Sequence, residues 1–401
     1  MERRPFRIQV EDSVLADLQA RLARARLGEV KKDAGWDAGT DPAFLRDVVS
    51  YWRSGYDWRR QEARLNQLPQ FVATVDGAHL HFVHARGRGP RPVPLLLLHG
   101  WPDSFFRYHK VVLPFSDPVS AGGQDVDAFD VVVPSLPGFA FTGPVDQGRA
   151  RSKANRYSAQ LIWRLMTEGL GYPRFAVAGG DGGSVIAQIL AIDHPEAVIG
   201  IHLTDLGWQA LDLDAATASK AEQKFLAVSQ KRAMSDGAYA LVQMAQPRSL
   251  AAGLNDSPVG LASWILDRFH SWSDADGDLD KSFGKDDLLT NIMIYWVTQT
   301  IGASVFSYHA EARSPSLTAA EHVDQPVALA LFPKEPGGVP PRSLAERTLN
   351  VRRWTEMPRG GHFAALEEPK LFVPDVVEFF RPLRELPARP EQGGRHVSSN
   401  L

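Results

Sequence analysis

The chain has no cysteine among its 401 residues. That excludes a cysteine nucleophile, a disulfide framework and thiolate-ligated zinc or iron–sulfur sites, and leaves the compartment open. Long apolar runs are missing too. Nothing approaches the roughly 20 residues of a membrane helix, and Met1 to Pro5 has no signal-peptide apolar region, so the expectation is a soluble, cytoplasmic protein without a membrane anchor. Charge of one sign is not in excess: the formal net charge is -3, which gives no basic footprint for nucleic acid and no acidic tail. A neutral small molecule is the partner that fits best. No internal repeat is evident, and 44% apolar content is ample for one large core or two domains. Composition does not decide oligomeric state, and a homodimer stays open. The preference for Arg over Lys and the abundance of Ala point to a GC-rich, bacterial genome.

Residues 1–70 read as a helical extension, with Asp12 or Ser13 placed to cap a helix that buries Val14, Leu15, Leu18, Leu22 and Ala25. From Phe71 the pattern changes to strands. These are Phe71 to Val75, a turn at Asp76-Gly77, His79 to His84, Val93 to Leu98, Phe129 to Val133, Phe175 to Ala178 and Val198 to Leu203. Leu95-Leu96-Leu97-Leu98, continuously apolar, reads as a buried central strand. Helical stretches between the strands predict an α/β fold with a largely parallel sheet. Residues 71–205 then form the first part of the core, and residues 206–313 are a helical insertion with aromatics Trp208, Tyr239, Trp264, Trp272, Tyr295 and Trp296, placed as a lid over a site would be. Residues 314–385 resume the core at strand Val327 to Leu331, and residues 386–401, rich in Pro, Gly and Ser, read as a disordered tail.

Between strand Phe175 to Ala178 and the helical stretch Ser184 to Ala191 lies Gly179-Gly180-Asp181-Gly182-Gly183. One reading is an ordinary Gly-rich turn whose Asp caps a helix. The other is a nucleophile elbow of the α/β-hydrolase fold with Asp at its apex instead of Ser. A carboxylate apex attacks an electrophilic sp3 carbon and becomes an ester, so its substrates are epoxides or alkyl halides. The rest of the required set follows in chain order. Glu335 comes after strand Val327 to Leu331, and His362 lies in Arg359-Gly360-Gly361-His362-Phe363, which gives nucleophile, acid and base in sequence. Asp205, after strand Val198 to Leu203, is the rival acid. His99-Gly100-Trp101-Pro102 ends strand Val93 to Leu98, and the backbone N–H groups of Trp101 and Gly182 are the expected oxyanion donors. A Trp101-Pro102 bond can be cis at modest cost and turn that loop towards the nucleophile.

These motifs, with Trp52-Arg53 to Asp57-Trp58-Arg59, Leu65 to Pro69-Gln70-Phe71, Pro134-Ser135-Leu136-Pro137-Gly138-Phe139, Leu254 to Leu261 and Leu288-Leu289-Thr290-Asn291, resemble the microsomal-type epoxide hydrolases from Pro5-Phe6 to about Arg381. The resemblance implies an α/β-hydrolase core with a lid and an N-terminal epoxide hydrolase domain. It implies conversion of an epoxide to a vicinal diol with water, without cofactor or metal. By local match it also implies that Tyr239 and Tyr308 donate hydrogen bonds to the epoxide oxygen, which a neutral phenol can protonate as the ring opens. Tyr295 is a third candidate in a stretch that reads as helix core. The family usually has Trp after the nucleophile, where this chain has Gly182. An aromatic wall is then absent, and the expectation is a wider pocket for a bulky, largely apolar, even polycyclic epoxide; with the GC-rich bias this suggests bacterial secondary metabolism, while detoxification stays open. The membrane anchor of the animal enzymes is not seen.

Two competing readings remain. A haloalkane dehalogenase shares the Asp nucleophile, but commonly wants a Trp after it as a halide donor, which Gly182 lacks. A catalytically silent binding protein of the same fold is the other. His79, His81 and His84 do not make a metal site, since His84 faces away from the other two and no third ligand is suitably spaced. Asp274-Ala275-Asp276-Gly277-Asp278 departs from a calcium loop and reads as a solvated turn. The glycines around Asp181 miss the dinucleotide spacing.

Overall fold

A computed structural model describes residues 1–28, 35–143, 153–207 and 217–384. Trp208 and the tail 386–401 lie outside the described residues. Nine strands form among the described residues: β1 (Arg3–Pro5), β2 (Gln70–Val75), β3 (Ala78–Ala85), β4 (Val93–Leu98), β5 (Phe129–Pro134), β6 (Phe175–Gly179), β7 (Val198–Leu203), β8 (Val323–Leu331) and β9 (Leu349–Glu356). They make one sheet in the order β1-β2-β3-β5-β4-β6-β7-β8-β9. β1 to β3 add antiparallel to β5 at one edge, and β5, β4, β6, β7, β8 and β9 run parallel. This is the α/β-hydrolase fold. Leu95 to Leu98 of β4 are fully buried, as a central strand covered by helices on both faces requires.

Sheet register brings the site together. Leu98 of β4 pairs with Gly179 of β6, and Gly179 pairs with Leu203 of β7. The segments that leave β4, β6 and β7 therefore start side by side at the carboxyl edge of the sheet, where ligands bind in open α/β sheets. Glu335 follows β8 and His362 follows β9 at the same edge.

The N-terminal segment holds helices Asp12–Ala23, Pro42–Ser54 and Trp58–Leu65, but also β1, a strand that the helical reading missed. Three residues are too few for periodicity to announce a strand; pairing of Arg3 to Pro5 with Phe71 to Ala73 creates it. The expected cap also needs correction. Helix Asp12–Ala23 starts after Glu11 with no side-chain cap bond, and Ala25 lies beyond its end. Asp12 instead forms an ion pair with Arg59, which takes its carboxylate away from the helix amides. Leu18 and Leu22 are the residues that this helix buries fully. The Asp76-Gly77 turn has positive φ at both residues, the geometry of a two-residue hairpin.

Between β7 and β8 the chain forms seven helices among the described residues, from Lys220–Asp236 to Ile301–Arg313. The N-terminal helices brace this lid. The Tyr51 hydroxyl donates to Asp286 at 2.9 Å, Arg60 reaches the same carboxylate at 2.6 Å, and Arg64 reaches Asp287 at 3.0 Å. Thr40 Oγ1 donates to the Ser263 carbonyl at 2.6 Å.

Candidate active site

Asp181 stands at the turn between β6 and helix Gly182–Asp193, with φ 57° and ψ -130°. A non-glycine residue in that region is strained and persists only where its surroundings over-determine it. Here the determinants are visible. Asp181 N–H donates to Asp205 Oδ2 at 2.8 Å. Gly100 and Gly183 let the backbones close up, since a Cβ on Gly100 would sit 2.0 Å from Asp181 Oδ1 and one on Gly183 would sit 2.1 Å from the Leu98 carbonyl.

The two oxygens of Asp181 differ. Oδ1 accepts from Trp101 N–H at 3.0 Å and from Gly182 N–H at 2.6 Å. Oδ2 is buried without a hydrogen-bond partner and lies 3.5 Å from His362 Nε2. His362 Nε2 is likewise buried without a partner, while Nδ1 lies 3.1 and 3.0 Å from the two oxygens of Glu335. A carboxylate only accepts, so Nδ1 carries a proton and Nε2 points at Asp181. Burial opposes charge on His362, but the Glu335 carboxylate, with Asp181 adding to it, outweighs burial and raises the imidazole to about 9. Of the two candidate acids, Glu335 is the one that touches His362. Asp205 takes the N–H groups of Asp181 and Gly207, and burial followed by the charge of Glu335 pushes it up to about 6.

Tyr239 and Tyr308 come from lid helices Ala238–Ala245 and Ile301–Arg313 and meet over Asp181. Their rings are 6.2 Å apart, and Trp101 stacks on Tyr239 at 5.6 Å and meets Tyr308 edge-on at 5.9 Å. Burial, and after it the Asp181 charge, raises the Tyr239 hydroxyl above its usual range, and Tyr308 is raised by burial first. Both stay neutral donors at ordinary pH. The third candidate, Tyr295, is core: its hydroxyl donates to the Asp103 carbonyl at 2.5 Å.

Several residues that hold the site escaped the sequence reading. Arg107, 1% exposed, donates to the His362 carbonyl and pairs with Asp103. The i, i+4 spacing of Asp103 and Arg107 just after His99-Gly100-Trp101-Pro102 was the available signal. Trp272 accepts from His362 N–H through its carbonyl at 2.8 Å, and its ring meets those of His362 and Tyr239. The turn at Asp274 is not merely solvated. Asp274 accepts from Gly360 N–H at 2.9 Å, and Glu367 accepts from Gly361 N–H at 3.1 Å and from Asp274 N–H at 2.6 Å, so two carboxylates fix the loop that carries His362. Of the strand histidines, His81 bridges Ser135 Oγ at 2.8 Å and Gln70 Oε1 at 2.9 Å.

Two cavities meet at Asp181. One, of about 460 Å³, is walled by Leu136, Phe139, Val185, Ile186, Phe306 and Leu317 and includes Gly182 and Tyr308. The other, of about 270 Å³, includes His362, Glu335 and Tyr239. A cavity of about 570 Å³ at Arg7, Glu11, Arg59 and Asn66 shares none of these residues. At Gly182 an added Cβ would meet nothing closer than Gly100 Cα at 3.8 Å. No helix among the described residues is long and apolar enough to cross a membrane.

Residues 3–108 match the family described as epoxide hydrolase N terminus, and residues 93–234 match the alpha/beta hydrolase fold. Epoxide hydrolase 1 of Oryctolagus cuniculus is 33% identical over 412 residues, covering 94% of this chain and 88% of its own. The crystal structure of juvenile hormone epoxide hydrolase from the silkworm Bombyx mori is similar with a TM-score of 0.86 at 26% identity, covering 96% of this chain and 95% of that one. The epoxide hydrolase of Aspergillus niger is similar with a TM-score of 0.81 at 26% identity, covering 96% and 97%. With that degree of identity over nearly its whole length, the chain belongs to the epoxide hydrolase family of the α/β-hydrolase superfamily.

Proposed function

We propose that the protein converts an epoxide to a vicinal diol through an ester on Asp181. The observation that carries this reading is the asymmetry of the Asp181 carboxylate: Oδ1 is held by two backbone N–H groups, while Oδ2 has no hydrogen-bond partner and lies 3.5 Å from His362 Nε2, on a residue that borders the cavities lined by Tyr239 and Tyr308. Oδ2 attacks one epoxide carbon, the ring C–O bond breaks, and Tyr239 and Tyr308 hold the leaving oxygen and supply its proton. Alkylation removes the Asp181 charge. One of the influences that raise His362 then disappears, so Nε2 passes its proton to the tyrosinate left by ring opening, and the neutral imidazole takes a proton from the water that attacks Cγ of the ester. The oxyanion forms on Oδ1, where Trp101 and Gly182 N–H groups already point. Collapse breaks the Cγ–Oδ2 bond, His362 protonates the departing oxygen, the diol leaves with Oδ2, and the new Asp181 carboxyl, which keeps the water oxygen, returns its remaining proton to His362. Glu335 orients the imidazole, and Asp205 holds the Asp181 backbone.

The open space at Gly182 supports a bulky, largely apolar epoxide. The test is diol formation from aryl and polycyclic epoxides by wild type and Asp181→Ala, with haloalkanes assayed in parallel. Diol that vanishes in the variant is the expected result. Halide release without diol would support a dehalogenase, and activity surviving in the variant would exclude the ester.

A further inference from the structure

Resting on the epoxide hydrolase reading, we infer that the preferred substrate is an internal epoxide, substituted at both ring carbons, whose longer arm lies in the 460 Å³ cavity and shorter arm in the 270 Å³ cavity. Asp181 lines both cavities, and each has its own tyrosine: Tyr308 borders the larger and Tyr239 the smaller. An epoxide oxygen held between these hydroxyls therefore sits at the junction, with one substituent directed to each side.

The smaller cavity is more than a place for the hydrolytic water. At about 30 Å³ per water it has room for about nine, whereas ester hydrolysis consumes one. Its polar lining includes Thr204, Asp205, Glu335 and His362, with Ser229, Arg232 and Asp236 on the lid side, but much of the wall is apolar and includes Leu206, Phe225, Leu226, Phe332, Val339 and Pro340. Those side chains offer water no hydrogen bonds, and an ordered water needs two to four polar partners. An alkyl or aryl arm covers that wall and releases its water. A terminal epoxide fills one cavity and leaves the other wet, so it forfeits that contribution.

The experiment compares kcat/KM for two epoxides of equal carbon number, 1,2-epoxytetradecane and cis-5,6-epoxytetradecane. It uses the wild type and two variants that fill the smaller cavity, Leu226→Trp and Ser229→Trp. Both positions lie on helix Lys220–Asp236, whose only fully buried side chain is Glu222, so either variant can be made without rebuilding a core. The wild type is expected to favour the internal isomer at least tenfold, and each variant to bring the internal-to-terminal ratio down to about one. A wild-type preference for the terminal isomer overturns the inference. So does a ratio that neither variant moves, or an equal fall for both isomers, which would assign the cavity to water. Diol from neither isomer, nor from the aryl panel, would fail the epoxide hydrolase reading itself, whereas diol from the terminal isomer alone fails only the inference drawn here.

Discussion

The floor and the roof of the site are built by different means. The floor is five loops at the carboxyl edge of the parallel part of the sheet, carrying Trp101, Asp181, Asp205, Glu335 and His362, each set by strand register. The roof is a helical insertion whose tyrosines reach Asp181 through aromatic packing on Trp101 and Trp272, and whose outer face is braced by N-terminal helices. Main-chain ladders place the floor, so it is rigid before substrate arrives. Side-chain contacts place the roof, so it is where shape can vary without loss of the chemistry.

The comparison predicts that floor substitutions abolish turnover and roof substitutions grade it. The largest effect is expected for Asp181→Ala, a fall in kcat of at least about 10⁴-fold, since loss of a nucleophile leaves only binding and oxyanion stabilisation; residual turnover above that level would remove Asp181 from the centre of the floor. His362→Gln should leave alkylation and stop hydrolysis. Intact-mass measurement should then find protein carrying one equivalent of substrate, with steady-state turnover down about 10³-fold, and a variant that accumulates no adduct would contradict the division of labour. Tyr239→Phe and Tyr308→Phe should each slow single-turnover alkylation by about 10²-fold, leaving breakdown of preformed ester little changed. If either slowed ester breakdown instead, the roof would belong to the second half-reaction.

Stability should depend on pH through the floor. The folded state raises His362 from about 6.5 to about 9, so its contribution is complete below pH about 6.5 and is lost as pH rises through about 9. Thermal unfolding should show Tm falling across that window, and the slope should shrink in His362→Gln; an unchanged slope would place its origin elsewhere. The smallest effect is expected at the roof's brace. Asp286→Ala removes bonds from Tyr51, Arg60 and Gln61, at a site where partly exposed ion pairs contribute about 1 kcal/mol or less each. A Tm lower by a few degrees with kcat within about twofold would fit, and a collapse of activity would mean that the brace sets tyrosine position.

Legibility followed the same division. β4 and β7 have the ends that the apolar runs predicted, and β2, β3, β5 and β6 differ by a residue or so, because an apolar run bounded by turn residues is itself the buried strand. β1 was invisible, since it is a strand only through its neighbour. Asp103 and Arg107 carried a spacing signal, but the value of that spacing depends on a carbonyl 255 residues away. Asp274 resembled a surface turn because what buries it, Glu367 and the Gly360 amide, comes from beyond β9.

By itself the sequence determined the elbow at Asp181, the order in which Glu335 and His362 follow it, and the alternation of strand and helix, all of which are local: a Gly where a Cβ would collide, an apolar run where both faces are covered. Only the tertiary structure decided that Glu335 and not Asp205 meets His362, that one oxygen of Asp181 is held while the other is free, and that two cavities join at that residue. Those are distances between segments far apart in the chain, and they exist only once the sheet register and the lid packing have been formed.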